Sequence, residues 1–223
     1  MGGISALQYL AATSSSLLGR HEHLGVMIGP RQGGLRPIQE GRAFGVDNDA
    51  FHGKFDEEVF ARHLERLEMF ADRCLFVAMP DFRDDPESTV ALFRHYSRTF
   101  GERHSFPLAL VAQTGAVPED LSGADVLFLA GHDAWRMGPA GDDLIRAAQE
   151  EYGIPVHVGR VNSEARLLHF AARGVQSVDG TYLAYRGLDL GLGEIERWLT
   201  AASDLTEQPY LINPAHPVNS ALC

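Results

Sequence analysis

Cysteine is nearly absent from this chain: only Cys74, inside an apolar stretch, and Cys223, the last residue, occur in 223 positions. That excludes a disulfide framework and a cysteine-built zinc site, and it fits a reducing compartment. Long apolar runs are also missing. No stretch approaches the roughly 20 residues that span a bilayer. The start of the sequence has no basic segment followed by an apolar one and a small-residue cleavage site, so a cytoplasmic location with no membrane partner is expected. Positive charge is scarce: 19 Lys and Arg against 30 Asp and Glu leave a formal net charge of −11. This balance argues against tight nonspecific binding to nucleic acid, which shows as a basic footprint. A local basic face drawn from Arg20, Arg31, Arg36, Arg160, Arg166, Arg173 and Arg186 is still compatible with it. Repeats and low-complexity tracts are lacking too, and the length suits one core, so a single domain over 1–223 is expected.

What is present is a rhythm. After a helical stretch around Ala6 to Ala12, within an N-terminal extension over 1–24, come GVMIGP and the loop-like RQGGLRP. Then FGVDN (44–48), CLFVAMPD (74–81), LALVAQTG (108–115), VLFLAG (126–131), VHVGRV (156–161) and SVDGT (177–181) each join a short apolar run to a polar or glycine ending, as buried parallel strands do. Helical patterns separate them: DEEVFARHLERLEMFA, PESTVALFRHYSRTF with Pro86 suited to a first turn, DDLIRAAQEEYG, and SEARLLHFAARG with Ser163 as N-cap and Gly174 as stop. Alternation of this kind predicts an α/β fold, a TIM-like (β/α) barrel or a doubly wound sheet. We take the barrel. Seven strands are counted with GVMIGP as the first, followed by a helix over LGEIERWLTAA, so an incomplete or irregular closure is expected; residues 207–223 read as an irregular tail.

The polar residues gather at one end of these strands: Asp47, Asp81, Gln113, Gly131, Arg160 with Asn162, and Asp179. In parallel α/β folds the C-terminal ends of the strands aim their last side chains into a shared mouth. A lone Asp after a strand is commonly a cap or turn former, but three at equivalent ends, with Gln and Arg beside them, predict a site. Several carboxylates without metal-ligand partners suit glycosidic bond cleavage, in which one attacks the anomeric carbon and another handles the proton. The tripeptide His21-Glu22-His23 looks like a metal pair, but it precedes its strand instead of ending it and so belongs to the opposite rim; no metal is expected there. His132 and Trp135, just after Gly131, are placed to line the pocket or to pack in a loop. His157, within a strand, is read as a core or surface histidine without a functional role.

With those residues in view, the order of motifs resembles the tRNA-guanine transglycosylase superfamily, most closely its short, zinc-free phage and bacterial relatives associated with deazaguanine modification of DNA. The likeness runs from about Phe44 to Thr181. GVDNDAF is similar to the family's TDSGGF, FVAMPD to its strand ending in a base-reading aspartate, LVAQTG to IVQGG, VLFLAG to AIGGL, and the stretch from VHVGRVNS to SVDGT to the one ending in MFDCV. The resemblance implies that Asp179 is the nucleophile, attacking C1′ of a nucleotide to give a covalent glycosyl-enzyme. It implies proton transfer by Asp47, stacking of the base on Phe51, reading of the guanine edge by Asp81, and hydrogen bonds to the base from Gln113 and the backbone up to Gly131. Read from the residues themselves, Arg160 and Asn162 in GRVNS are placed to hold the sugar-phosphate of the flipped nucleotide or to form a strand-to-helix turn capped by Ser163, and the two roles are compatible. The implied partner is DNA, as a duplex with a flipped base or as a single strand, together with a free deazapurine base; no cofactor is implied.

Two departures stand out. The family's two glycines before the aromatic residue are Asp49 and Ala50 here, which alters what can approach the base, and no Cys/His zinc subdomain follows Asp179, which points away from tRNA. Exchange of guanine for a 7-deazaguanine derivative is the expected activity. The alternatives are a hydrolytic DNA glycosylase that leaves an abasic site, as a phage-defence enzyme would, and a non-catalytic nucleotide-binding protein.

Overall fold

Eight short parallel strands close into a barrel in the computed structural model, which describes residues 6–50 and 55–207. They are β1 (Gln8–Ala12), β2 (Leu24–Ile28), β3 (Phe44–Val46), β4 (Cys74–Ala78), β5 (Leu108–Ala112), β6 (Val126–Leu129), β7 (Val156–Val158) and β8 (Ser177–Asp179). Each pairs with its neighbour in sequence, and β1 pairs with β8 through Tyr9 and Val178 to complete the ring. The fold is therefore a single TIM-like α/β barrel, and its closure is complete.

The closing strand corrects the expectation of a helix around Ala6 to Ala12. Its sequence QYLAA carries good helix formers, but Tyr9, Leu10 and Ala11 are fully buried between β2 and β8. That pairing is with residues about 170 positions away, so nothing local announces it. GVMIGP supplies the second strand, not the first, and the missing eighth strand lies inside what reads as an N-terminal extension.

The helices are α1 (Arg36–Gln39), α2 (Glu57–Leu67), α3 (Pro86–Gly101), α4 (Asp133–Arg136), α5 (Pro139–Arg146), α6 (Glu164–Ala171), α7 (Tyr182–Arg186) and α8 (Leu188–Glu207). Side-chain caps start three of them: Asp56 accepts from the Val59 amide at 3.0 Å, Asp85 from Ser88 at 2.9 Å, and Ser163 from Arg166 at 3.4 Å. The pattern DDLIRAAQEEYG begins earlier than its aspartates suggest, at Pro139, and ends as a π turn over Ala147–Glu151. α8 extends the expected last helix to Glu207; the rest of the proposed tail lies outside the described residues. Among the described residues no helix is long and apolar enough to cross a membrane.

Alternation along each strand builds two cores. Outward-facing side chains such as Val26, Val46, Val77, Leu127 and Val158 pack under the helices. Inward-facing ones, led by Leu10, Phe76, Val111 and Phe128, fill the barrel. Gly25 and Gly45 make room for them: a Cβ on Gly45 would lie 2.5 Å from Phe76 Cζ, and one on Gly25 would lie 2.5 Å from Leu10 Cδ2. At the N-terminal end Arg42 closes the bottom, donating to the carbonyls of Leu17, Arg20, His21 and Leu24. The His21–His23 pair sits on this rim, with His23 Nδ1 at 3.3 Å from Gln8 Nε2. Polar side chains at this end secure the fold; the open mouth at the other end is where chemistry is available.

Candidate active site

Three aspartates reach the mouth, each from the C-terminal end of a different strand. Asp47 follows β3, Asp81 lies three residues beyond β4, and Asp179 ends β8. Asp47 and Asp179 are close enough for each charge to bear on the other. Asp81 in turn lies within the field of Arg160, whose own amide hydrogen-bonds Asp179. The strand register thus brings the expected trio to one opening.

Their environments differ. Asp47 has its pKa pushed up to about 6 by the protein crowding its inner side, with the charges of Asp179 and Asp49 adding to the rise and backbone N–H groups of Asp49 and Asn48 opposing it. Its outer surface is open to solvent at the mouth, so water screens part of this effect. Asp81 is half-buried, and burial raises its pKa too, against the opposing pull of its hydrogen bonds and Arg160. Asn48 donates to its Oδ1 at 3.1 Å and Gln113 to its Oδ2 at 2.7 Å, while Asn48 also donates to the Met79 carbonyl at 2.7 Å. Both oxygens of Asp81 are oriented in this way, with lone pairs left for donors on a ligand.

Asp179 is held differently. Its Oδ1 accepts from the Arg160 amide at 2.8 Å, across the turn that follows β7. That turn is pinned from beneath by Arg136, a fully buried guanidinium that donates to the carbonyls of Gly159 and Arg160 and to Asp133. Arg166 shares Asp133, and the Arg160 guanidinium donates to the Gly131 carbonyl at 2.8 Å. Burial alone would raise Asp133, but Arg136, Arg166 and Arg160 hold its carboxyl below the usual range. Three arginines around one carboxylate give the β6–β7 side of the mouth a positive surplus, while Asp47, Asp49, Asp81 and Asp84 line the β3–β4 side.

The backbone is strained at the same places. Among the described residues the non-glycine positions with positive φ are Asp49 (59°), Asp84 (59°) and Arg160 (56°), all in loops at the mouth. Such conformations cost about 1–3 kcal/mol each and persist where the surroundings enforce them. Arg31 pairs with Asp49 at 2.9 Å. His132 pairs with Asp84 at 3.0 Å.

The remaining expected residues are placed as follows. Gln113 is buried at the end of β5. Gly131 has φ 68°, and a Cβ there would meet Trp135 and the Thr114 amide at 2.8 Å, so the chain requires glycine. Trp135 packs half-buried against that turn, and His132 is exposed beside it. Asn162 ties the β7 and β8 loops together, accepting from the Thr181 amide at 2.7 Å. Its side chain is thus engaged in structure. Phe51 lies outside the described residues.

Sequence reasoning missed Asn48, Arg136 and the role of His157. Asn48 is adjacent to Asp47 and carried no signal of its own. His157 did carry one: period-two alternation puts His157 and Gly159 on one face of β7, and Ser177 and Asp179 on the matching face of β8. Among the described residues no group of three or more His, Cys, Asp or Glu side chains is arranged to hold a metal ion. The arrangement supplies a carboxyl that is partly protonated near neutrality, a second carboxylate oriented by a backbone N–H, and a third presented with two amides. That set can attack a carbon, move a proton and read a hydrogen-bonding edge.

No protein-family model matches the chain, and no curated protein matches it. Solved structures do. The Amycolatopsis orientalis BexX/CysO complex aligns over 95% of this chain and 95% of its own at 17% identity with a TM-score of 0.56. 3-Hexulose-6-phosphate synthase from Salmonella typhimurium aligns over 88% and 97%, at 14% identity and 0.53, and a mandelate oxidase over 91% and 73%, at 14% and 0.53. Likeness at these identities establishes the barrel and does not bear on its chemistry.

Proposed function

We propose that this protein is an enzyme that cleaves the N-glycosidic bond of a nucleotide in DNA through Asp179 and exchanges the base, guanine being replaced by a 7-deazaguanine derivative. The observation that carries the reading is the convergence of Asp47, Asp81 and Asp179 on one mouth in three different environments. The motif resemblance from Phe44 to Thr181 supplies the substrate class.

In this reading an Asp179 oxygen bonds to C1′ as the C1′–N bond breaks, and the electron pair leaves with the base. Asp47 gives the departing base a proton, consistent with its raised pKa. An incoming base then displaces Asp179 and returns its N–H proton to Asp47, so atoms and charge balance. Asp81, backed by Gln113 and Asn48, accepts from the N–H groups of the base edge. The positive side of the mouth, with Arg160 and Arg166, suits the phosphodiester backbone, which would cross the β6–β7 arc while the base points toward β3–β5. A base stacked in a duplex is out of reach, so the nucleotide is extruded or the strand is single.

The test is incubation with DNA carrying normal and modified bases, with and without free deazaguanines, followed by nucleoside analysis and a search for abasic sites. Incorporation of the free base supports exchange. Alkali-labile breaks without incorporation would make the protein a hydrolytic glycosylase, and binding without either outcome a nucleotide-binding protein. Asp179→Asn is expected to abolish chemistry and keep the fold; full activity in that variant removes Asp179 from the mechanism.

A further inference from the structure

A polar side chain fully enclosed by the barrel lies directly beneath Asp179. His157, the middle residue of β7, has no exposed surface. Its ring sits between Phe76 and Phe128, with centroid separations of 4.3 and 4.5 Å. Nδ1 is 2.9 Å from the Ser177 hydroxyl. Nε2 faces Asp179 Oδ1 at 3.7 Å and has no hydrogen-bond partner. A buried ring nitrogen left in this state is rare enough to call for a reason.

Two neutral tautomers are open to this ring. With the proton on Nδ1, the Nε2 lone pair would point at a carboxylate oxygen and the two would repel. With the proton on Nε2, Nδ1 accepts from the Ser177 hydroxyl, and Nε2 lies 3.7 Å from Oδ1, a separation that a shift of about half an ångström closes to a hydrogen bond. Burial holds the ring below the ordinary histidine pKa despite the opposing influence of Asp179, so it enters this arrangement uncharged. Oδ1 therefore faces two donors, the Arg160 amide and His157, and a Cβ on Gly159 would approach this same oxygen at 3.3 Å.

We propose that His157 is a positioning residue for Asp179: Ser177 sets its tautomer, its Nε2–H and the Arg160 amide hold Oδ1, and Oδ2 is left as the oxygen that bonds to the anomeric carbon. The identity of that bond rests on the base-exchange reading above; the tautomer and its hold on Asp179 do not. His157 keeps its proton throughout. As the Oδ2–C1′ bond forms and the C1′–N pair leaves with the base, Oδ1 becomes the carbonyl oxygen of the ester and still meets the same two donors.

Two measurements decide it. The first is 15N NMR of histidine-labelled protein without substrate, expected to show His157 neutral with the proton on Nε2. The Nε2 resonance should shift in Asp179→Asn, and the tautomers should mix in Ser177→Ala. A wild-type ring protonated on Nδ1, or a signal indifferent to Asp179→Asn, overturns the proposal. The second is single-turnover base release from DNA. His157→Leu is expected to lower the rate at saturating DNA roughly tenfold or more, with half-saturation and melting temperature near those of the wild type. His157→Gln, whose amide can donate from nearly the same place, should regain part of the rate. Equal losses in the Leu and Gln variants, or none in Leu, overturn the assignment. If the Leu variant does not fold, Ser177→Ala carries the same expectation through loss of a single hydroxyl. Should the wild type release no base from any DNA, the base-exchange reading fails by itself, and the NMR measurement still decides whether His157 holds Asp179.

Discussion

Asp47 offers the sharpest quantitative test, because the rise in its pKa sets a pH dependence that its own substitution can remove. With its pKa at about 6, it is half protonated at pH 6, about one part in eleven at pH 7 and about one in a hundred at pH 8. If the protonated form gives the leaving base its proton, single-turnover base release at saturating DNA falls about fiftyfold from pH 6 to pH 8. Asp47→Asn removes the proton source, so this alkaline limb should vanish. The rate at pH 6 should drop by roughly 10²–10⁴, the usual worth of a positioned acid. Stability moves the other way. A carboxyl whose folded pKa is raised above its ordinary value of 3.8 stabilises the fold below that value, and the contribution is lost as pH rises through about 6. Removing the charge should therefore raise the denaturation midpoint at pH 8 and change it little at pH 4; with solvent screening at the open mouth, the gain is about 1 kcal/mol. A wild-type rate that is flat between pH 6 and 8, or an Asn variant that keeps the same limb, would refute the reasoning.

Three other expectations follow from the geometry. Gly159→Ala would put a Cβ at 2.8 Å from Phe128 and 3.3 Å from Asp179 Oδ1; base release should fall sharply for a stability cost of about 1–3 kcal/mol, read by chemical denaturation, and unchanged activity would mean that Asp179 tolerates displacement. Arg136→Met strips the hydrogen bonds that hold the Gly159 and Arg160 carbonyls, while Asp133 keeps Arg166; a loss of about 1–3 kcal/mol from the unpaired carbonyls is expected in the same assay. Asp81→Ala should relax the choice of base more than it slows release, measured by competition between guanine and other purines in DNA; untouched selectivity would remove Asp81 from base reading.

The alternation of short apolar runs with amphipathic helices was enough to predict a parallel α/β barrel, because buried strands and one-sided helices leave periodic marks in the chain itself. Polar endings on those runs located Asp47, Asp81, Gln113 and Asp179, since the C-terminal ends of parallel strands in a barrel all lie at the same mouth. Tertiary structure alone decided the rest. β1 reads locally as helix and becomes a strand only because β2 and β8 bury both its edges, pairing it with residues far along the chain. The difference between Asp47 and Asp179 is likewise invisible in GVDN and SVDGT: crowding, neighbouring charge and one amide from the β7 turn separate two identical side chains. Arg136 belongs to the same class, since the carbonyls it touches come from the β7 turn; for His157, alternation marks its face of β7, but only the register of β7 on β8 sets Ser177 and Asp179 against it.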